Sequence, residues 1–285
     1  MLSENVARRD IMHTEQTIIA GRAEGCYALR NSNAAYHADT EHTSSSSLKE
    51  ILRSPAHYRA RLADPPDSKA MQIGSALHAA VLEPEALEAG FAVWDGPRRG
   101  RDYEAFLQAN ADKSVLNAEE MHKVTGMREA IFGYPLADLR SLLARGTREL
   151  SIYWRDERTG VKCRARPDCF LDGVAFDLKK TQDARPGEFA KAVARYSYDF
   201  QGAFYLDGLR RFTGRESFTF VLIAVEEAPP HAVWLHELSP ELLTSAQLDV
   251  RRALALHARC TESGGWPGYP QPYSELAALP RWARG

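Results

Sequence analysis

In RARPDCFLDGVAFDLKK (residues 164–180), Asp172-Gly173 separates two short runs of strand-forming residues, and no other feature limits the fold so tightly. Asp-Gly suits a two-residue hairpin turn, because both central residues of that turn need positive φ. Such a turn fixes a register in which Leu171 faces Val174, Phe170 faces Ala175 and Cys169 faces Phe176. Asp168 then lies opposite Asp177. Two carboxylates in direct cross-strand register sit about 5 Å apart and repel, so the pairing calls for a positive group between them.

A second hairpin extends the constraint. With Glu157–Gly160 as its loop, Asp156 pairs with Val161, and the same register sets Glu149 opposite Asp168. A slip of one residue would send Glu149 to the other face. Lys179 stands two residues beyond Asp177 and so projects from the same face of an extended strand. Carboxylates gathered beside a lysine suit metal-assisted phosphodiester hydrolysis: hard divalent cations take oxygen ligands, and an ammonium steadies developing negative charge. Two other readings fit the same geometry. One is a solvated hairpin whose charges form surface ion pairs; the other is a retaining glycosidase, which also needs carboxylates about 5 Å apart. Lys179 and the arginine-rich strand suit a phosphate better than a sugar.

The rest of the chain supplies helices and further strands. Residues 1 to about 40 lack clear periodicity and read as a loosely ordered lead-in, followed by one domain over residues 41–285. TSSSSLKEILRSPAHYRARLADPP reads as a helix with a serine N-cap that Pro55 interrupts. KAMQIGSALHAAVLE is a second helix carrying His78 and stopped by Pro84. ELSIYW, VKCRARPDCF and VAFDLKK form a three-strand meander. GEFAKAVARYSYDFQGAFYLDGLRRF makes one or two helices, SFTFVLIAVEE a buried strand, and SAQLDVRRALALHARC a helix before a Pro/Gly/aromatic tail with Trp266 and Trp282. This order predicts an α/β fold with a mixed central β-sheet flanked by helices.

The chain has 285 residues, 44% of them hydrophobic, and a net charge of −2, as an ordinary globular protein would. Any nucleic-acid binding must therefore come from a local groove and not from a global field. Arg98, Arg99 and Arg101, in a Gly/Pro-containing loop, are candidates for gripping phosphates. No run approaches the ~20 apolar residues of a membrane span, and the N-terminus shows no signal peptide, so a cytoplasmic location and no membrane partner are expected. Cys26, Cys163, Cys169 and Cys260 show no zinc-ligand spacing and are expected as free thiols.

RPD followed after eight residues by DLK resembles the PD-(D/E)XK nuclease signature. MQIGSALHAAVLEPEAL, RRGRDYEAF, TRELSIYWRDERTGVKCRARPD, YDFQGAFYLDGL and GGWPGY…LPRWA extend the likeness, and from about Tyr36 onward the chain resembles the exonuclease VIII (RecE-type) nuclease domain of phages and prophages. That resemblance implies a restriction-endonuclease-like core. It implies metal ligands at His78, Asp168, Asp177 and the backbone carbonyl of Leu178, an acidic active-site residue at Glu149, and Lys179 as the catalytic lysine. Gln201 and Tyr205, four residues apart on one helix face, would touch the DNA backbone. Lys180 stands where the family commonly has Thr or Ser, which implies altered DNA contact. The implied cofactor is Mg²⁺, with Mn²⁺ able to substitute. The implied activity is degradation of one strand of linear double-stranded DNA, 5′ to 3′, leaving 3′ overhangs for recombination. The implied partners are double-stranded DNA ends, identical subunits in a homo-oligomeric ring and a single-strand annealing protein. A Cas4-like or RecB-like nuclease of the same superfamily and a non-catalytic DNA-end-binding protein are the alternatives.

Overall fold

The Asp172-Gly173 turn forms with φ of 50° and 89° at its two central residues, and it pairs Leu171 with Val174, Phe170 with Ala175 and Cys169 with Phe176. A computed structural model describes residues 18–66 and 68–270. Its strands are β1 (Ile18–Ala20), β2 (Tyr27–Leu29), β3 (Phe91–Val93), β4 (Ser114–Leu116), β5 (Thr147–Arg148), β6 (Ser151–Arg155), β7 (Lys162–Ala165), β8 (Cys169–Leu171), β9 (Val174–Thr181), β10 (Thr219–Glu226) and β11 (Val233–Glu237). They form a five-stranded sheet ordered β11-β10-β9-β8-β5, a four-stranded sheet ordered β1-β2-β6-β7 and the pair β3-β4. In the five-stranded sheet β9 and β10 run parallel while the other neighbours are antiparallel, so the central sheet is mixed.

Twelve helices are described: α1 (Asn33–Ala38), α2 (Ser45–Leu48), α3 (Glu50–Arg53), α4 (Pro55–Ala63), α5 (Lys69–Leu82), α6 (Pro84–Gly90), α7 (Arg101–Ala109), α8 (Ala118–Phe132), α9 (Leu139–Arg145), α10 (Pro186–Tyr196), α11 (Tyr198–Thr213) and α12 (Pro240–Ser263). Alternation along β9 and β10 splits the apolar residues between two cores. Ala175, Phe220, Leu222 and Ala224 join α11 and α12 in one; Phe176, Leu178, Ile223 and Val225 join α5 and α8 in the other. Both faces of the central sheet are thus covered, as the uniformly apolar run of β10 requires.

Sequence and structure differ in several places, while Pro55 interrupts the first helix as expected. Residues 18–38, read as loosely ordered, contain β1, β2 and α1, and β2 pairs with β6. The three-strand meander is divided between two sheets: β6 and β7 pair from Arg155 and Lys162 to Ile152 and Ala165, and β5 and β8 resume with Arg148 opposite Cys169. Pro167, which has no N–H to give a ladder, lies in that gap, and on the facing segment Glu149, opposite Asp168, takes a φ of 47°. The serine run does not cap by side chain, for Ser44 Oγ approaches Ser46 Oγ at 3.0 Å and makes no cap hydrogen bond. Pro55 opens α4 as its first residue, with Ser54 accepting from His57 N. Trp266 packs flat on Tyr58 at 5.3 Å, while Trp282 lies outside the described residues. All four cysteines are free and buried, and among the described residues no helix is long and apolar enough to cross a membrane.

Candidate active site

The gap in the meander is where the acids collect. Glu149 N donates to Asp168 O at 3.1 Å, so the register set at the Glu157–Gly160 loop carries through without a slip and brings Glu149 opposite Asp168. Asp168 itself lies just past the last ladder pair of the Asp172-Gly173 hairpin. Its carboxylate does not face Asp177 unaided: Oδ2 accepts from Leu178 N at 2.6 Å, and Oδ1 lies 3.4 Å from His78 Nδ1. The other ring nitrogen of His78, Nε2, is 3.2 Å from Leu178 O. The helix α5, on the opposite face of the sheet from α11, thereby reaches the acids through His78.

Asp177 and Lys179 point to the α11 side. Lys179 Nζ is ion-paired with Asp177 Oδ2, and Gln201 Nε2 donates to Asp177 Oδ1 at 3.0 Å. Gln201 also hydrogen-bonds Tyr205, whose side chain is buried. The positive group that the facing aspartates called for is therefore two groups, His78 on Asp168 and Lys179 on Asp177. Sequence reasoning overlooked Tyr198, whose ring lies under Lys179 Nζ at 4.7 Å. It also overlooked Arg166, two residues before Asp168. Arg166 Nε donates to Ser151 Oγ at 2.8 Å and its guanidinium stacks on Tyr36 at 4.5 Å.

Electrostatics mark this cluster out. Burial and the Asp168 charge push the Glu149 carboxyl up to about 8. Burial, then Asp168, pushes Asp177 up to about 6 against the opposing pull of Lys179. Burial works against charge on Asp168 too, but His78, Lys179 and the Leu178 N–H outweigh it and hold Asp168 below the usual carboxylate range. Burial likewise opposes charge on His78, yet Asp168, Glu149 and Asp177 raise it to about 9. Lys179 is raised in the same way, its buried position overcome by Asp177 and Asp168. Buried like charges cost free energy that a cation would relieve.

The donor set fits a hard divalent metal. One ligand atom each from His78, Glu149 and Asp168 lie within 4.8 Å of one another, and the Leu178 carbonyl adjoins them through His78. Two carboxylates, an imidazole and a main-chain carbonyl suit a divalent metal ion. Asp177 is outside that group, and Gln201 and Lys179 hold its two oxygens. A cleft of about 540 Å³ opens on the cluster, with Glu149, Asp168, His78, Arg166, Tyr205 and the serine run among its walls. Arg98, Arg99 and Arg101 do not line it; they are exposed, and Arg98 lies 3.6 Å from Glu120. Lys180 faces away from Asp177 and pairs with Glu227.

The fold has counterparts. A candidate exonuclease from Eubacterium rectale superposes with a TM-score of 0.55 at 15% identity, over 87% of this chain and 97% of that one. A phage-related exonuclease from Haemophilus somnus 129PT covers 79% of this chain and 96% of its own at 14% identity, but with a TM-score of 0.34 it is too loose a likeness to argue from. No curated protein sequence matches the chain. The family model described as a PDDEXK-like domain of unknown function (DUF3799) matches residues 44–277, over a fold and an acid-lysine cluster of that type, and the chain belongs to this PDDEXK-like family.

Proposed function

We propose that the protein is a Mg²⁺-dependent exodeoxyribonuclease that hydrolyses phosphodiesters from the ends of linear duplex DNA. The observation that carries this reading is the meeting of Glu149, Asp168 and His78 within 4.8 Å, beside the Asp177–Lys179 ion pair. His78, Glu149, Asp168 and the Leu178 carbonyl would hold the metal, with Asp177 adjoining. Bound there, a divalent cation would activate a water and polarise the scissile phosphate.

The chain's own residues divide the remaining work. Lys179 has a raised pKa, so it serves as an ammonium that steadies negative charge on the phosphoryl group and not as a general base. Gln201 fixes one oxygen of Asp177 and so sets the direction in which the other meets Lys179. His78 orients Asp168 from the α5 side. Tyr205 and the serine run line the path by which a backbone phosphate reaches these groups.

Polarity from 5′ to 3′, a 3′ overhang for strand-annealing recombination, a homo-oligomeric ring around the duplex and an annealing partner extend the proposal on the strength of the exonuclease VIII resemblance. A closed ring would give processivity by topology. The test is incubation of end-labelled linear duplex and closed circular DNA with the protein in Mg²⁺ or EDTA, beside Asp177→Ala and Lys179→Ala. Loss of the linear substrate alone, abolished by EDTA and by either substitution, is expected. Cutting of the circle, degradation in EDTA or full activity in both variants would refute it. DNA-end binding without hydrolysis would identify a non-catalytic end-binding protein.

A further inference from the structure

β11 is the outer strand of the five-stranded sheet, and parity decides which of its main-chain groups are spare. Glu226 N donates to Ala232 O at 3.0 Å and Leu238 N to Phe220 O at 3.0 Å. In the antiparallel register of β10 with β11, Trp234 and His236 therefore turn their N–H and C=O toward β10. Val233, Leu235 and Glu237 point theirs outward, and no hydrogen bond among the described residues takes them. Soluble proteins blunt such an edge with a lysine, a proline or a bulge. The VWLHE strand has none of these, and its Trp234 is 46% exposed.

The edge is complementary to itself. If β11 pairs antiparallel with β11 of a second copy about a two-fold axis at Leu235, all three outward residues find main-chain partners: Leu235 its own counterpart, and Val233 the Glu237 of the other copy. Trp234 of each copy then faces His236 of the other, so ring meets ring, and the strand's one carboxylate meets an apolar side chain. An axis at Glu237 would instead set two carboxylates against each other. A two-fold perpendicular to the sheet keeps the faces matched. The incoming indole therefore arrives on the side where His236 stacks between Trp234 at 6.1 Å and Phe189 at 4.5 Å. A groove of about 360 Å³ opens there, with Phe189, Ala190, Val193, His236 and Leu242 in its walls. A tryptophan entering a pocket of this kind is the commonest sort of interface anchor.

We infer that β11 is a self-association edge, at which two copies of the chain join their five-stranded sheets into one of ten strands and each seats its Trp234 in the groove of the other. The inference goes beyond the nuclease reading and does not depend on it. This contact closes at two copies, so the ring proposed above needs a further, head-to-tail contact at another face. Leu178, Ile223 and Leu235 share one cross-strand row. The stretches that carry Asp177 and Lys179 in the two copies would therefore lie in line across the axis, five strand spacings of ~4.8 Å, or about 24 Å, apart.

The test combines sedimentation of the full chain over a range of concentrations with cross-linking at the axis. The unaltered chain is expected to associate through this edge, and Trp234→Lys to weaken the association by about thirtyfold or more, as loss of an interface anchor does. Leu235→Cys sets two thiols across the axis with their Cα atoms about 5.5 Å apart, within disulfide range, so mild oxidation should give a covalent dimer on a non-reducing gel. The natural cysteines are all buried. Val233→Cys lies four residues out of line with its counterpart, about 13 Å away, and should give no covalent dimer. If Leu235→Cys does not fold, the Trp234→Lys shift decides, because that position is exposed. A chain that stays monomeric, which would leave the edge to an extended segment of another protein, would overturn the inference. So would an assembly that Trp234→Lys leaves unchanged, or one that cross-links through Val233→Cys and not through folded Leu235→Cys.

Discussion

Replacing Lys179 with Met removes the only ammonium paired with Asp177 among the described residues; the Asp177 side chain is 1% exposed. Lys179 itself is 14% exposed, so solvent screens the pair little. At an effective dielectric of about 20, charges about 4 Å apart attract by about 4 kcal/mol, and stripping one partner from a buried pair costs about 3–5 kcal/mol. The cost should depend on pH. Asp177 already titrates near 6, and without Lys179 its folded pKa rises further. A carboxyl with a raised folded pKa contributes stability that is full below its unfolded value and is lost as pH rises through the folded one. At about pH 5.5 the variant can protonate Asp177 and lose little, while at about pH 8 it bears the full penalty, about 10 °C of melting temperature for a chain of this size. Adding Asp177→Asn should restore most of that stability and none of the nuclease activity. Melting curves of Lys179→Met and of the double variant at the two pH values, in EDTA, read this directly. An equal loss at both pH values, or no recovery in the double variant, would refute the claim that Lys179 balances a buried Asp177 carboxylate.

Three further outcomes are expected. The folded pKa values of Glu149, about 8, and His78, about 9, both lie above their ordinary values. The metal-free protein should therefore melt lower as pH rises from about 6 to about 9, and Mn²⁺ should reverse that trend, with protons released on binding that calorimetry in two buffers will count. Replacing Arg98, Arg99 and Arg101 together should lower the salt slope of DNA binding by about two, since Arg98 is already beside Glu120 while Arg99 and Arg101 make no ion pair among the described residues. Gly208→Ala should destabilise by about 1–2 kcal/mol, measured by urea denaturation. A Cβ there would sit 2.7 Å from buried Trp154, and the overpacking outweighs the gain in helix propensity.

The site was legible where turns fix register. Asp172-Gly173 and the Glu157–Gly160 loop together placed Glu149, Asp168 and Asp177 in one neighbourhood, and the structure keeps that register across a break in the ladder. The break itself was hidden. It depends on Pro167 within the second strand and on a positive φ at Glu149, which a non-glycine residue rarely announces. Short edge strands such as β1 and β11 carry too few residues to show a period, and they take shape only through their neighbours β2 and β10. Tyr198 escaped notice for another reason. It matters through Lys179, a residue on another element, and only the fold brings the start of α11 to that side chain. Lys180 was legible by alternation alone, and its pairing with Glu227 leaves Lys179 as the lysine beside the acids.

The most direct test is a parallel measurement of Mn²⁺ binding and DNA hydrolysis in the unaltered protein, Asp168→Asn and Glu149→Gln. Binding is followed by the electron paramagnetic resonance of free Mn²⁺, and hydrolysis by release of label from linear duplex. If Glu149, Asp168 and His78 hold the metal that supports cleavage, both substitutions weaken Mn²⁺ binding and hydrolysis falls with it, by about a hundredfold or more. A variant that no longer binds Mn²⁺ yet degrades DNA at the original rate would contradict the account.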